Sequence, residues 1–431
     1  MALVAQAGPF TWGTDAATTT YEVNCGFTPT ALLVWMSGIA SDTDAQSSTL
    51  DIHWSVGAAV STSSREATAA NLEDAAASDT QAVSYAATDC LLIEPGAFQA
   101  VSGKLDLSSF DSDGTPGFTM VVDDAAAAVH RCGYLAIAGT TNAAVGQLTE
   151  PGETGDQYVD CGFEPDAVIF FSAGCATPAS DEHAWPMFGF ATGASNQWVC
   201  GGYAVHGGAS ADCNAYGIDD ECIAFGGAGV TVTARASFVD TGTGESYGTA
   251  GFRINWAERA ASRDVHYLAL KGGLWTAGKL LTQTDDTAIT GTTTGMDPVG
   301  VLFVSACRGE SASDTATVDG EMSLGAATAT DKRHAQSFLY EDAKNATEAN
   351  VAVEHDGVYV HITNAGAVDG IMDLTALGTE SFSCVMDDYD PSQAAVGWLA
   401  FGNATAGAAS PSFVSRHHPR GVLRGVLRGI S

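Results

Sequence analysis

Among the residues able to do chemistry, Asp111-Ser112-Asp113-Gly114 has the most suggestive spacing, because alternate carboxylates could converge on a hard cation. The bidentate acid such a loop needs further on is missing, so the run reads as an Asp-Gly turn. Asp123-Asp124, Glu258 and Asp387-Asp388 recur at like distances after a landmark Phe, which marks an acidic strand end rather than a catalytic pair. Trp185 and Trp198 flank Pro186-Met187-Phe188-Gly189-Phe190 and could form an aromatic platform for a sugar. His266 has no counterpart elsewhere in the chain and reads as a satisfied histidine. No His-Glu-x-x-His, Gly-x-Ser-x-Gly or Gly-Lys-Ser/Thr phosphate loop is present. Gly226-Gly227-Ala228-Gly229 leads into a strand-like segment, where a dinucleotide site needs a helix. The sequence therefore predicts no catalytic residue, no cofactor and no metal ligand.

These residues sit in a chain of 431 with 17 Lys+Arg, 51 Asp+Glu and a net charge of −34. Such a body repels a polyanion at long range, which argues against nucleic-acid binding. The longest apolar runs, such as Ala31–Met36 and Ala167–Phe171, fall far below the ~20 residues that span a bilayer, so no membrane partner is expected. The first residues also lack the basic and long apolar regions of a signal peptide.

The elements that position all of this are written three times. Val23-Asn24-Cys25-Gly26-Phe27-Thr28-Pro29, followed by an apolar run to Trp35, returns as Val159-Asp160-Cys161-Gly162-Phe163-Glu164-Pro165, with its run to Phe171. It fades to Gly295-Met296-Asp297-Pro298 and a run to Val304. A closing motif follows the same order as Tyr134–Gly139, Tyr267–Gly272 and Trp398–Gly402. Between them lie segments starting at Phe118, Phe252 and Phe382, and weaker ones ending at Gly57, Gly189 and Gly325. A period near 133 residues exceeds any solenoid repeat and matches a domain.

Within each repeat, short Val-, Ile-, Phe- and Thr-rich runs alternate with polar residues or end in turn formers, the pattern of strands. Phe252-Arg253-Ile254-Asn255-Trp256 has period two, whereas the runs after Pro29, Pro165 and Pro298 are continuously apolar, as for strands covered on both faces. Ala67–Ala77 has helical composition without an apolar stripe and is expected as loop or a short helix. The predicted fold is all-β: three tandem diverged β-sandwich, jelly-roll-like domains over 1–141, 142–274 and 275–405, then a short basic arm over 406–431.

Ten cysteines contain no Cys-x-x-Cys pair. Cys25 and Cys90 align with Cys161 and Cys222, and the third repeat has neither. Joint loss suggests that the two side chains touch, as a buried thiol pair or as a disulfide; nothing signals an oxidising compartment, which favours thiols. Cys132 aligns with Val265 and Val396 and is expected in the core. In the arm, Arg416, Arg420, Arg424 and Arg428 recur every fourth residue. A glycine in every turn costs ~1 kcal/mol each in a helix, so an extended arm that folds onto an acidic partner, another copy of the protein or the shell it sits on fits better, with a solvated tail as the alternative.

Gly-Phe-x-Pro-x-Ala before an apolar strand, Ala236-Ser237-Phe238, Gly251 to Trp256 and Val265 to Leu270 together resemble repeated β-sandwich virion proteins of tailed bacteriophages, head decoration or tail appendage proteins. The likeness runs from about 10 to 403 and is best in the second repeat. It implies a non-enzymatic structural protein, assembled in the host cytoplasm, displayed on the virion and held by its arm to other capsid or tail proteins, as a homo-oligomer. The alternative it leaves is an adhesin or receptor-binding tail fibre module for a host surface glycan.

Overall fold

The computed structural model describes residues 2–74, 82–96, 100–112, 114–177, 179–207, 210–260, 262–311, 315–344, 347–391 and 393–405. The described chain is all-β, with six antiparallel sheets and a single three-residue 3-10 turn at Glu245–Tyr247. Three sheets have seven strands and three have four. The first large sheet runs, edge to edge, Val4–Trp12, His130–Ala138, Ala31–Met36, Ile52–Ser61, Ser64–Leu72, Ala82–Ala87 and Ala179–Glu182. The first small sheet runs Thr20–Asn24, Thr115–Asp124, Val101–Ser112 and Leu92–Pro95. The second and third repeats order their own strands in the same way.

The continuously apolar runs are buried from both sides. Ala31, Leu33 and Trp35 enter a central cluster built from all three repeats, while Leu32, Val34 and Met36 join one that also takes Leu105, Leu107 and Phe118 from the small sheet. Ile169 and Phe171, and Leu302 and Val304, add to the same central cluster. The period-two segment behaves as its pattern demands: Phe252, Ile254 and Trp256 are buried and Arg253 and Asn255 are not.

The landmarks converge on one contact made three times. Phe118 meets Tyr134 edge-on at 5.2 Å, Phe252 meets Tyr267 at 5.3 Å, and Phe382 meets Trp398 at 5.1 Å. Gly26, Gly162 and Gly295 all have φ between 75° and 84°, the left-handed turn that lets the chain enter each central strand. Gly57, Gly189 and Gly325 are needed for another reason: a Cβ would strike the carbonyl oxygen of Leu91, Cys222 or Val358, where the large and small sheets approach most closely.

Two expectations change. Ser64–Leu72 is a strand rather than a loop or helix. Its alanines supply the small side chains that both faces require, Ala67 and Ala69 on one and Ala70 and Leu72 on the other, and packing overrides the helix preference of alanine. Residues 75–77 of that segment lie outside the described residues.

The second change is larger. The seventh strand of each large sheet belongs to another repeat. Ala179–Glu182 pairs with Ala82–Ala87, Thr317–Val318 with Cys213–Ile218, and Ala45–Ser47 with Ala349–Glu354. The second repeat thus completes the first, the third completes the second, and the first completes the third. All three visiting strands lie in the same connection, just after the doubly covered strand. Leu3 and Asn403 exchange two hydrogen bonds, of 2.8 and 3.0 Å, so the ends of the described chain also meet.

Candidate functional site

The structure does not bring the aligned cysteines together. Cys25 follows Thr20–Asn24 at one edge of the small sheet and Cys90 precedes Leu92–Pro95 at the other. All ten cysteines are free thiols. Burial pushes the Cys25 thiol up to about 12 and raises Cys90, Cys161 and Cys222 as well, so none is a ready nucleophile. Register explains the misreading. Leu91, Cys222 and Val358 each donate a backbone N–H to the adjacent strand at 2.8 to 2.9 Å and stand over the three glycines just named. Cys222 therefore matches Leu91, and Cys90 matches Glu221. The group beside Cys25 is Tyr134; Tyr267 stands near Cys161, and the third repeat, without the cysteine, has Trp398 instead.

Nor do the two tryptophans form a platform. Trp198 is fully buried in the central cluster. Trp185 packs on the second repeat's own cluster, its Nε1 donating to the Gly226 carbonyl at 3.1 Å and its face taken by the Arg263 guanidinium at 4.6 Å. Arg416, Arg420, Arg424 and Arg428 lie outside the described residues.

The corrected register exposes a site that sequence reasoning missed. Four segments of each repeat, each in a strand or within two residues of one, contribute one residue apiece to the same place between its large and small sheets. In the first repeat these are Trp12, His53, Glu94 and His130; in the second Glu150, Trp185, Phe225 and Arg263; in the third Thr282, Glu321, His361 and Ala394. The place is kept and the chemistry is exchanged.

In the second repeat Arg263 lies between Trp185 and Phe225, 4.6 and 4.8 Å from their ring centres, with Glu150 3.7 Å away. In the third, His361 stands 3.2 Å from Asp390 and 3.6 Å from Glu321, which Arg308 approaches at 3.3 Å. Burial pushes the Glu321 carboxyl up to about 7. Asp390 and Glu321 together overcome the burial of His361 and raise it.

In the first repeat His53, Glu94 and His130 hold their donor atoms within 4.8 Å of one another. Glu94 and His130 are each 1% exposed, and His53 is half-buried. The Glu94 carboxylate accepts the N–H of Ala127 at 2.6 Å and of Ala128 at 3.1 Å, which fixes its orientation. Burial opposes its ionisation, yet His130 and the Ala127 N–H outweigh it and hold Glu94 below the usual range. His130 Nε2 pairs with Glu94 Oε1 at 3.0 Å, while its Nδ1 has no hydrogen-bond partner among the described residues. An unpaired buried polar group costs about 1–3 kcal/mol, so the arrangement is unfavourable as a purely structural device. Two imidazoles and a carboxylate can donate lone pairs to a cation; no hydroxyl or reactive thiol in the cluster offers a nucleophile.

No protein-family model matches the chain, and no curated protein matches it. Solved structures give faint likenesses. The WD40 domain of SCAP from fission yeast is 6% identical over 86% of this chain and 98% of that one, with a TM-score of 0.12. The outer membrane protein OprD from Pseudomonas aeruginosa is 10% identical over 79% of this chain and 97% of that one, with a TM-score of 0.10. Scores this low carry no argument about fold or function.

Proposed function

We propose that the chain is a non-enzymatic structural protein of a tailed-phage virion, displayed on the head or tail surface and anchored by its basic arm. In this reading the sheets form three tandem β-sandwich, jelly-roll-like domains fused into a single-chain counterpart of a trimer. The observation that carries it is the cyclic strand exchange, in which each repeat lends one short strand to another until the ring closes. A body with threefold character fits the symmetric positions of a shell or tail. The acidic surface keeps it clear of nucleic acid, while the arginines of residues 416–428 give the arm the opposite sign.

The glycan-binding alternative no longer has Trp185 and Trp198. It keeps one foothold, a cleft of about 500 Å³ between the second and third repeats, lined by Asp166, Asp240, Thr241 and Trp275.

The deciding experiment adds the full chain, or a chain ending at Ser415, to virions stripped of this protein and locates bound copies by cryo-electron microscopy. Density at symmetric positions with the full chain and none with the shortened one is expected. If neither form binds, the virion reading fails, and a glycan array on the full chain tests the cleft.

A further inference from the structure

In the second and third repeats, the shared site holds a positive charge supplied by the chain. Arg263 lies between Trp185 and Phe225, and Arg308 reaches both Glu321, at 3.3 Å, and His361 Nε2, at 3.4 Å. The first repeat differs. Among the described residues, the ion-pair neighbour of Glu94 is His130, not an Arg or Lys. Among the described residues no Arg or Lys completes the site there, while three side chains with lone-pair donors converge on one point.

We propose that His53, Glu94 and His130 bind one divalent transition-metal ion, for which zinc is the best match. Imidazole nitrogen with carboxylate oxygen suits zinc, whereas magnesium and calcium favour all-oxygen surroundings. Zinc bonds of ~2.0–2.2 Å place tetrahedral ligands about 3.3–3.6 Å apart, so donors already within 4.8 Å need only small side-chain adjustments. His130 is buried, with Nδ1 unpartnered among the described residues and Nε2 facing only the Glu94 carboxylate at 3.0 Å, so that Nε2 and the carboxylate could share one cation. Glu94 is held in place by two backbone N–H groups, the kind of outer support that fixes a ligand's direction. Because His53 and His130 stand on or beside strands of the large sheet and Glu94 on the small one, the ion would tie the two sheets together.

The test is calorimetric titration of the metal-free, untagged full chain with zinc chloride, in excess magnesium chloride to occupy acidic surface groups. It is run beside His53→Gln and His130→Gln, with circular dichroism to establish folding. One tight equivalent is expected in the parent and at least a tenfold loss of affinity in each variant. Cobalt(II) added to the parent should show the intense visible absorption of a tetrahedral ion, lost in His53→Gln. His53 is half-buried, so its variant is the one expected to keep the fold throughout. If a folded His53→Gln binds zinc as the parent does, or the parent binds no tight equivalent, the proposal is overturned. The cluster is then a His130–Glu94 pair alone, and any zinc sits elsewhere, for example on His417 and His418 or on Asp44, Glu354 and Asp356.

Discussion

The indole of Trp198, in the second repeat, lies directly over Gly397 of the third, where a Cβ would collide with the ring. The same two positions meet at the other joints with different partners. Glu66 of the first repeat faces His266 of the second at 3.1 Å, and His334 of the third lies against Trp35 of the first, at 6.3 Å between ring centres, with Gly133 beneath that Trp. A large ring over a glycine, an acid against a base and a histidine against a tryptophan are not interchangeable, so the order of repeats around the ring is fixed by side chains.

Gly397→Ala forces the Trp198 ring aside and should destabilise the protein by about 1–3 kcal/mol, the usual cost of overpacking. Denaturant midpoints check this. In a double-mutant cycle with Trp198→Leu, Gly397→Ala should cost less once the ring is gone; an unchanged midpoint in the single variant would show that the ring can yield.

Glu66 and His266 are both buried, and removing one leaves the other without its partner. His266→Ala should cost roughly 3 kcal/mol or more. A double-mutant cycle with Glu66→Gln should return a favourable coupling energy, whereas additivity would mean that the pair contributes nothing.

Much of this architecture was legible in the sequence. The doubly covered strands, the period-two strands and the threefold repeat follow from apolar periodicity and from glycines at fixed places. The visiting strands were not legible. Ala45-Gln46-Ser47 and Thr317-Val318 are too short and mild to show a period, and their partners lie far along the chain in another repeat. The shared site was hidden by a single-residue slip. Matching Cys90 to Cys222 by identity put Glu94 out of step with Phe225 and His361, and the four contributing segments are distant in sequence. Trp198 misled for a related reason, since composition does not say which side of a strand faces the centre.

Burial pushes the Glu354 carboxyl up to about 8, with Asp44, Asp356, Asp373 and Asp387 adding to the shift. The folded protein keeps a proton that the unfolded chain releases in the usual carboxylate range. Its stabilising effect is complete below that range and is lost as pH rises toward 8, at roughly 1.4 kcal/mol per pH unit while the extra proton is held. Urea midpoints at pH 5 and pH 8 should therefore differ more in the parent than in Glu354→Gln, and the variant should be the more stable at pH 8. Parallel pH profiles would refute this.

Proline at both Ala45 and Gln46 removes a ladder N–H whichever of the two faces the third repeat. Amide exchange at Val351, Ala352 and Val353, the partners of the visiting strand, should speed up while the inner strands stay protected. Unchanged exchange would mean that this strand adds nothing to the sheet.

The reciprocal lending of strands also constrains how the molecule is made. On the ribosome the first repeat emerges with Ala82–Ala87 as an open edge until Ala179–Glu182 appears, and Ala45–Ser47 stays unpaired until Ala349–Glu354 has been synthesised. The last joint to form is therefore the one with the greatest separation along the chain, a slow closure that leaves an edge available in the meantime. Two chains at this stage can trade strands instead of each closing its own ring, so refolding at high concentration should yield interlocked multimers and dilution should yield single rings.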